Sequence, residues 1–155
     1  MPYQEERKKS VRRKLNILDL EFDGKNVLLV DDSIVRGTTS KKIVDMLYNA
    51  GAKEIHMRIS SPPIKYPDFY GIDTPNKEDL IAHNFSIEEI RKKIGVKSLA
   101  YLSIDGLYKA LGFNKRDDKN PQLTDHCFTG DYPTQLKDQT SDDRIQQLSL
   151  LSDHR

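Results

Sequence analysis

The 155-residue chain has one cysteine, no tryptophan and no strong excess of either charge. A single thiol excludes an internal disulfide and leaves too few sulfur ligands for a Cys-only zinc or iron–sulfur site. With 25 Lys+Arg against 24 Asp+Glu, the net charge of +1 excludes a protein that coats nucleic acid through charge alone. No uncharged apolar run approaches the roughly 18 residues needed to span a bilayer, so no membrane partner is expected. The opening MPYQEERKKSVRRK is basic but holds no apolar core of a secretory signal, and a cytoplasmic location is expected. What remains is polar: 36% of residues are hydrophobic and 32% charged, which predicts a thin core.

Three zones differ in composition. Residues 1–22 form a basic lead-in with helical character, residues 23–113 hold nearly all strand and helix signals, and residues 114–155 form a polar, loop-rich tail expected to be partly disordered near its end. In the middle zone, Asn26 to Val30 is a short apolar run, as in a parallel strand buried on both faces. Ile43, Val44, Met46, Leu47 and Ala50 fall on one face of a helix that Gly51 ends. Glu54 to Ile59 alternates as a second strand. Ser86 and Glu89 make a capping box before the stripe Ile87, Ile90, Ile94, with Gly95 behind it. Leu99–Leu102 reads as a strand and Ile104–Leu111 as a short helix. The order β-loop-α-β predicts an α/β fold with a parallel, Rossmann-like core.

The informative stretch is Val27 to Thr39. Asp31 and Asp32 stand at the carboxyl end of a strand, where ligands bind in open α/β sheets. The pair alone also suits a turn or a helix N-cap. Ser33, Ile34, Val35, Arg36, Gly37, Thr38 and Thr39 then run into a helix N-terminus. Such a loop offers backbone N–H groups, hydroxyls and the positive end of a helix dipole to one phosphate. Neighbouring carboxylates can accept hydrogen bonds from a diol. Phosphate on one side and a diol on the other describe a ribose 5-phosphate group. The run lacks the Gly-x-x-x-x-Gly-Lys spacing of a nucleotide P-loop. Arg36 could touch phosphate or point to solvent. The basic run Arg7, Lys8, Lys9, Arg12, Arg13, Lys14 has no interleaved aromatics and reads as an exposed helix face rather than a nucleic-acid surface. His56, His83, His126 and His154 show no ligand-like spacing and are expected to be surface or structural.

Val-Asp-Asp-Ser-Ile-Val-Arg-Gly-Thr-Thr resembles the phosphoribosyl pyrophosphate (PRPP) signature of type I phosphoribosyltransferases, most of all the glutamine PRPP amidotransferase family. Further segments are similar to that family in the same order: Tyr3 to Lys14-Leu15, Ile59 to Pro63, Phe69 to Pro75, Leu80 to Ala82, Glu88 to Gly95 and Cys127 to Thr134. The resemblance covers residues 3 to about 137. It implies a partial type I phosphoribosyltransferase fold within an enzyme making 5-phosphoribosylamine, glutamate and pyrophosphate from PRPP, glutamine and water, in the first step of de novo purine (IMP) synthesis.

By the same resemblance, Asp31 and Asp32 bind the ribose hydroxyls and are associated with Mg²⁺, while Ser33 to Thr39 hold the 5-phosphate. Tyr3, Gln4 and Arg7 lie at the edge of a closing active-site loop. Ammonia comes from a glutaminase domain absent here, so no catalytic residue is assigned, and the chain is expected to be the C-terminal, PRPP-binding portion of a homo-oligomeric enzyme, inactive alone. Some members carry a four-cysteine iron–sulfur cluster; Asp68 and Thr124 fall at two ligand positions and only Cys127 is retained, so a cluster is not expected. A stand-alone nucleobase phosphoribosyltransferase and a non-enzymatic PRPP-sensing fragment are the rival readings.

Overall fold

The structure, a computed structural model, describes residues 22–71 and 74–134. The basic lead-in with Tyr3, Gln4 and Arg7, His154 and the end of the polar tail lie outside the described residues.

Three strands, β1 (Asn26–Asp31), β2 (Glu54–Ile59) and β3 (Ser98–Tyr101), form one parallel sheet in that order. Between β1 and β2 runs α1 (Thr38–Asn49). Between β2 and β3 lie a 3₁₀ turn at Lys77–Asp79, a single helical turn α2 (Ile81–Asn84) and α3 (Ile87–Ile94). After β3 come α4 (Ile104–Ala110) and the short α5 (His126–Thr129).

The register pairs Leu29 with Met57 and Met57 with Leu99, so apolar residues line up across one sheet face. Ile55, Met57 and Ile59 are buried there against Val44 and Leu47 of α1 and Ile90 and Ile94 of α3. This cluster is the core, assembled by the 3.6-residue stripes of two helices over the two-residue repeat of a strand. Ile87, expected in the α3 stripe, is instead exposed.

The other face departs from expectation. The apolar run of β1 predicts burial on both sides, yet Leu28 and Val30 are 63% and 64% exposed. The core helices α1 and α3 cover the opposite side of the sheet, and alternate β1 residues therefore stay open.

Helix starts follow their local chemistry. Ser86 Oγ accepts the Glu89 N–H and Glu89 accepts the Ser86 N–H at 2.8 Å, completing the capping box of α3. Ser103 caps α4 by accepting the Gly106 N–H at 2.9 Å. Such caps typically contribute about 1 kcal/mol each. The start of α1 has no side-chain cap, and that exception matters for the site.

Candidate functional site

β1 delivers Asp31 to the carboxyl edge of the sheet. One Asp31 oxygen accepts the Asp32 N–H at 2.9 Å, and one Asp32 oxygen accepts the Ser33 N–H at 2.7 Å. These bonds stiffen the turn and use only one oxygen of each carboxylate. Gly37, with φ of 77°, then stands at the N-cap of α1 in the left-handed region. Glycine enters that region without strain. A Cβ there would also come within 2.7 Å of Ile81 Cδ1. Ile81 N–H donates to the Val35 carbonyl at 2.9 Å, tying the loop to α2.

With no side chain capping α1, its first-turn N–H groups are available to an anion. Asp31, Asp32, Ser33, Val35, Arg36, Gly37, Thr38 and Thr39 line one cavity of about 530 Å³, together with Ser40 and Pro75. That size suits a small phosphorylated ligand. Ile34 is the exception among the expected residues: its side chain is 1% exposed and belongs to the core. Anchoring the middle of the loop in this way leaves the flanking residues turned to the cavity. Arg36 forms a 3.5 Å ion pair with Asp79, both side chains more than half exposed. Solvated pairs of this kind contribute little stability.

A second constellation lies on the segment after β2 and on α5. His126 Nε2 is 2.6 Å from Asp68 Oδ1, with both side chains 4% exposed. The ring of His126 is 5.0 Å from that of Tyr70 and 5.1 Å from that of Tyr132. Asp68 also accepts the Tyr70 N–H at 3.0 Å. The Lys65 and Tyr66 N–H groups both donate to the Cys127 carbonyl, at 2.9 and 3.1 Å. Burial, and then the neighbouring Asp68, push the Cys127 thiol pKa up.

No protein-family model matches the chain. Among curated proteins, it is 51% identical over 152 residues to the amidophosphoribosyltransferase of Rhizobium etli, a match spanning 97% of this chain and 31% of that protein. Nearly its whole length is thus similar to one part of the amidophosphoribosyltransferases. The Bacillus subtilis member is 52% identical over 139 residues, 90% of this chain and 29% of its own. The solved glutamine PRPP amidotransferase from B. subtilis, complexed with ADP and GMP, matches with a TM-score of 0.71 at 52% identity. That match covers 83% of this chain and 28% of the solved one. The chain thus spans less than a third of the length of the amidophosphoribosyltransferases it resembles. Its three parallel strands with flanking helices are part of their type I phosphoribosyltransferase fold.

In this chain the residues do not fit an iron–sulfur cluster. Such a cluster takes four thiolates, and the sequence offers one. Of the two substituted ligand positions, Asp68 is buried beside Cys127 while Thr124 is exposed. Sequence reasoning missed two residues. Ser40 is buried yet lines the loop cavity, one position beyond the expected run. His126, expected to be surface or structural, is buried, and its place beside Asp68 and Cys127 is what the spacing did not reveal; adjacency to Cys127 was the available signal. His56 sits at the sheet, with Nδ1 2.8 Å from Ser98 Oγ and Nε2 3.5 Å from Glu54; His83 is exposed.

Proposed function

We propose that the loop from Asp31 to Thr39 binds PRPP and that this chain is the PRPP-binding part of an amidophosphoribosyltransferase. The whole enzyme would make 5-phosphoribosylamine, glutamate and pyrophosphate from PRPP, glutamine and water, opening purine synthesis in the cytoplasm as a homo-oligomer. The supporting observation is one arrangement: two carboxylates and an uncapped helix start, joined by Gly37, face a common cavity.

The division of labour follows from the chemistry. The N–H groups at the start of α1, with the hydroxyls of Ser33, Thr38 and Thr39, hold the 5-phosphate. Asp31 and Asp32 accept hydrogen bonds from the ribose hydroxyls. Loss of pyrophosphate leaves an oxocarbenium-like C1, so rate comes from fixed ribose geometry rather than from a covalent nucleophile. Ammonia arriving from a glutaminase domain then adds at C1. The hard carboxylate oxygens of Asp31 and Asp32 also fit Mg²⁺, and each keeps an oxygen that the turn does not use. When bound, the ion neutralises charge on the leaving pyrophosphate.

Calorimetry with PRPP and Mg²⁺ tests the assignment. Asp32→Asn is expected to weaken binding by roughly 1.5–3 kcal/mol, the usual contribution of a charged hydrogen bond. Unchanged affinity overturns it. Binding by the unaltered chain with no turnover when a glutaminase half is supplied in trans would favour the PRPP-sensing alternative.

A further inference from the structure

We propose that Asp68, His126 and Cys127 form a site for a zinc-type divalent cation, joining the segment after β2 to helix α5. A carboxylate oxygen, an imidazole nitrogen and the thiol sulfur of these residues all lie within 4.8 Å of one another. Protein ligands around one tetrahedral ion sit about 2.0–2.3 Å from it, so a small closure brings the imidazole and the thiol onto one ion, with Asp68 beside them.

The site is built rather than incidental. Asp68 and His126 have side chains only 4% exposed, and they come from positions 58 residues apart. Cys127 is held in place by its own carbonyl, which accepts two backbone N–H bonds from Lys65 and Tyr66. The rings of Tyr70 and Tyr132 flank the imidazole.

A second observation points independently to a ligand. Among the described residues, His126 Nδ1 is buried and has no hydrogen-bond partner. Buried polar atoms are nearly always satisfied, and an orphaned ring nitrogen asks for an electrophile or a proton partner. A cation on Nδ1 satisfies that atom, while Asp68 Oδ1 keeps its 2.6 Å contact with Nε2 and orients the ring from behind, as carboxylates commonly do with metal-bound histidines.

The donor set selects the ion. Mg²⁺ and Ca²⁺ take oxygen ligands, which leaves the sulfur without a role. The Cys127 sulfur and the His126 nitrogen, with Asp68 behind the ring, suit Zn²⁺ or its spectroscopic substitute Co²⁺, with the remaining positions left to water. On binding, the Cys127 thiol gives its proton to solvent as the metal–sulfur bond forms.

The test is anaerobic titration of the full chain with Co²⁺ after treatment with a chelator, without PRPP. One bound ion per chain is expected, with sulfur-to-cobalt charge-transfer absorption that Zn²⁺ abolishes. Because the chain has one cysteine, that absorption can come only from Cys127. Cobalt at the loop carboxylates gives no such band, so this result stands or falls apart from PRPP binding. His126→Gln should weaken Co²⁺ binding at least about tenfold, and Cys127→Ser should remove the band. Absence of the band in the unaltered protein at saturating Co²⁺ overturns the proposal. So does unchanged Co²⁺ affinity in Cys127→Ser, because the ion would then sit elsewhere.

Discussion

The loop from Asp31 to Thr39 and the clasp around Asp125 treat charge in opposite ways. In the clasp, Arg116 donates to Asp125 through Nε at 2.7 Å, to Asp118 at 2.7 Å and to Asp131 at 2.7 Å. Tyr108 Oη adds a 2.8 Å bond to the same Asp125, which is 3% exposed. Burial alone would push the Asp125 pKa up, but the hydrogen bonds from Arg116, Tyr108 and Thr129 outweigh it and hold the carboxyl below its usual value. In the loop, each carboxylate answers one neighbouring N–H, and the helix start behind it has no side-chain cap. Charge that is fully answered inside the chain fixes structure. Charge left partly unanswered is available to a ligand.

Breaking the clasp should give the largest effect. Arg116→Ala leaves Asp125 buried without its main partner, and a loss of about 3–5 kcal/mol is expected in denaturant unfolding. A loss near zero would mean that the aspartates relax into solvent and that the contrast with the loop is superficial. Acid should act on the same group. Because the folded pKa of Asp125 lies below the unfolded value, its contribution is present above pH 3.8 and fades as pH falls through the lower, folded value. Stability measured across that acid window should fall more steeply in the unaltered chain than in Arg116→Ala.

How far the sequence reveals these regions follows from the range of the interactions. β2 is legible to the residue, because Ile55, Met57 and Ile59 alternate with His56 and Arg58. β3 begins one residue before its expected start and ends one before its expected end, a displacement ordinary at element ends. The capping box of α3 is local and was readable. The loop was readable too, since its carboxylates, Gly37 and hydroxyls are contiguous and all except the Ile34 side chain meet at one cavity. Asp68 and His126 are 58 residues apart, and no periodicity links them. The Arg116 network likewise joins α4, a loop and α5 through side chains whose spacing carries no signal. Leu28 and Val30 failed for another reason: an apolar run looks the same whether one face is covered or both.

Gly37 sharpens the comparison at the next scale down. Gly37→Ala places a Cβ on a residue with φ of 77°, a cost of about 1–2 kcal/mol. The clash at 2.7 Å is with the end of the Ile81 side chain, which can partly turn away. The stability loss should therefore stay below that of Arg116→Ala. PRPP affinity should fall as well, because the start of α1 must shift. A variant that loses stability yet binds PRPP unchanged would separate the shape of the loop from its use.

The smallest stability effect is expected at Asp32, where the comparison is most direct. Asp32 is exposed, and its side chain bonds only the N–H and hydroxyl of the next residue. Asp32→Asn keeps an acceptor oxygen for that N–H while removing the charge. Its unfolding free energy should lie within about 0.5 kcal/mol of the unaltered chain, as for surface changes away from buried networks. The same substitution at Asp125 would weaken a buried pair. If Asp32→Asn proves strongly destabilising, the loop carboxylate is a structural anchor like Asp125, and any loss of PRPP affinity would reflect a damaged turn. If stability holds while affinity falls, the carboxylate is held open for the ligand.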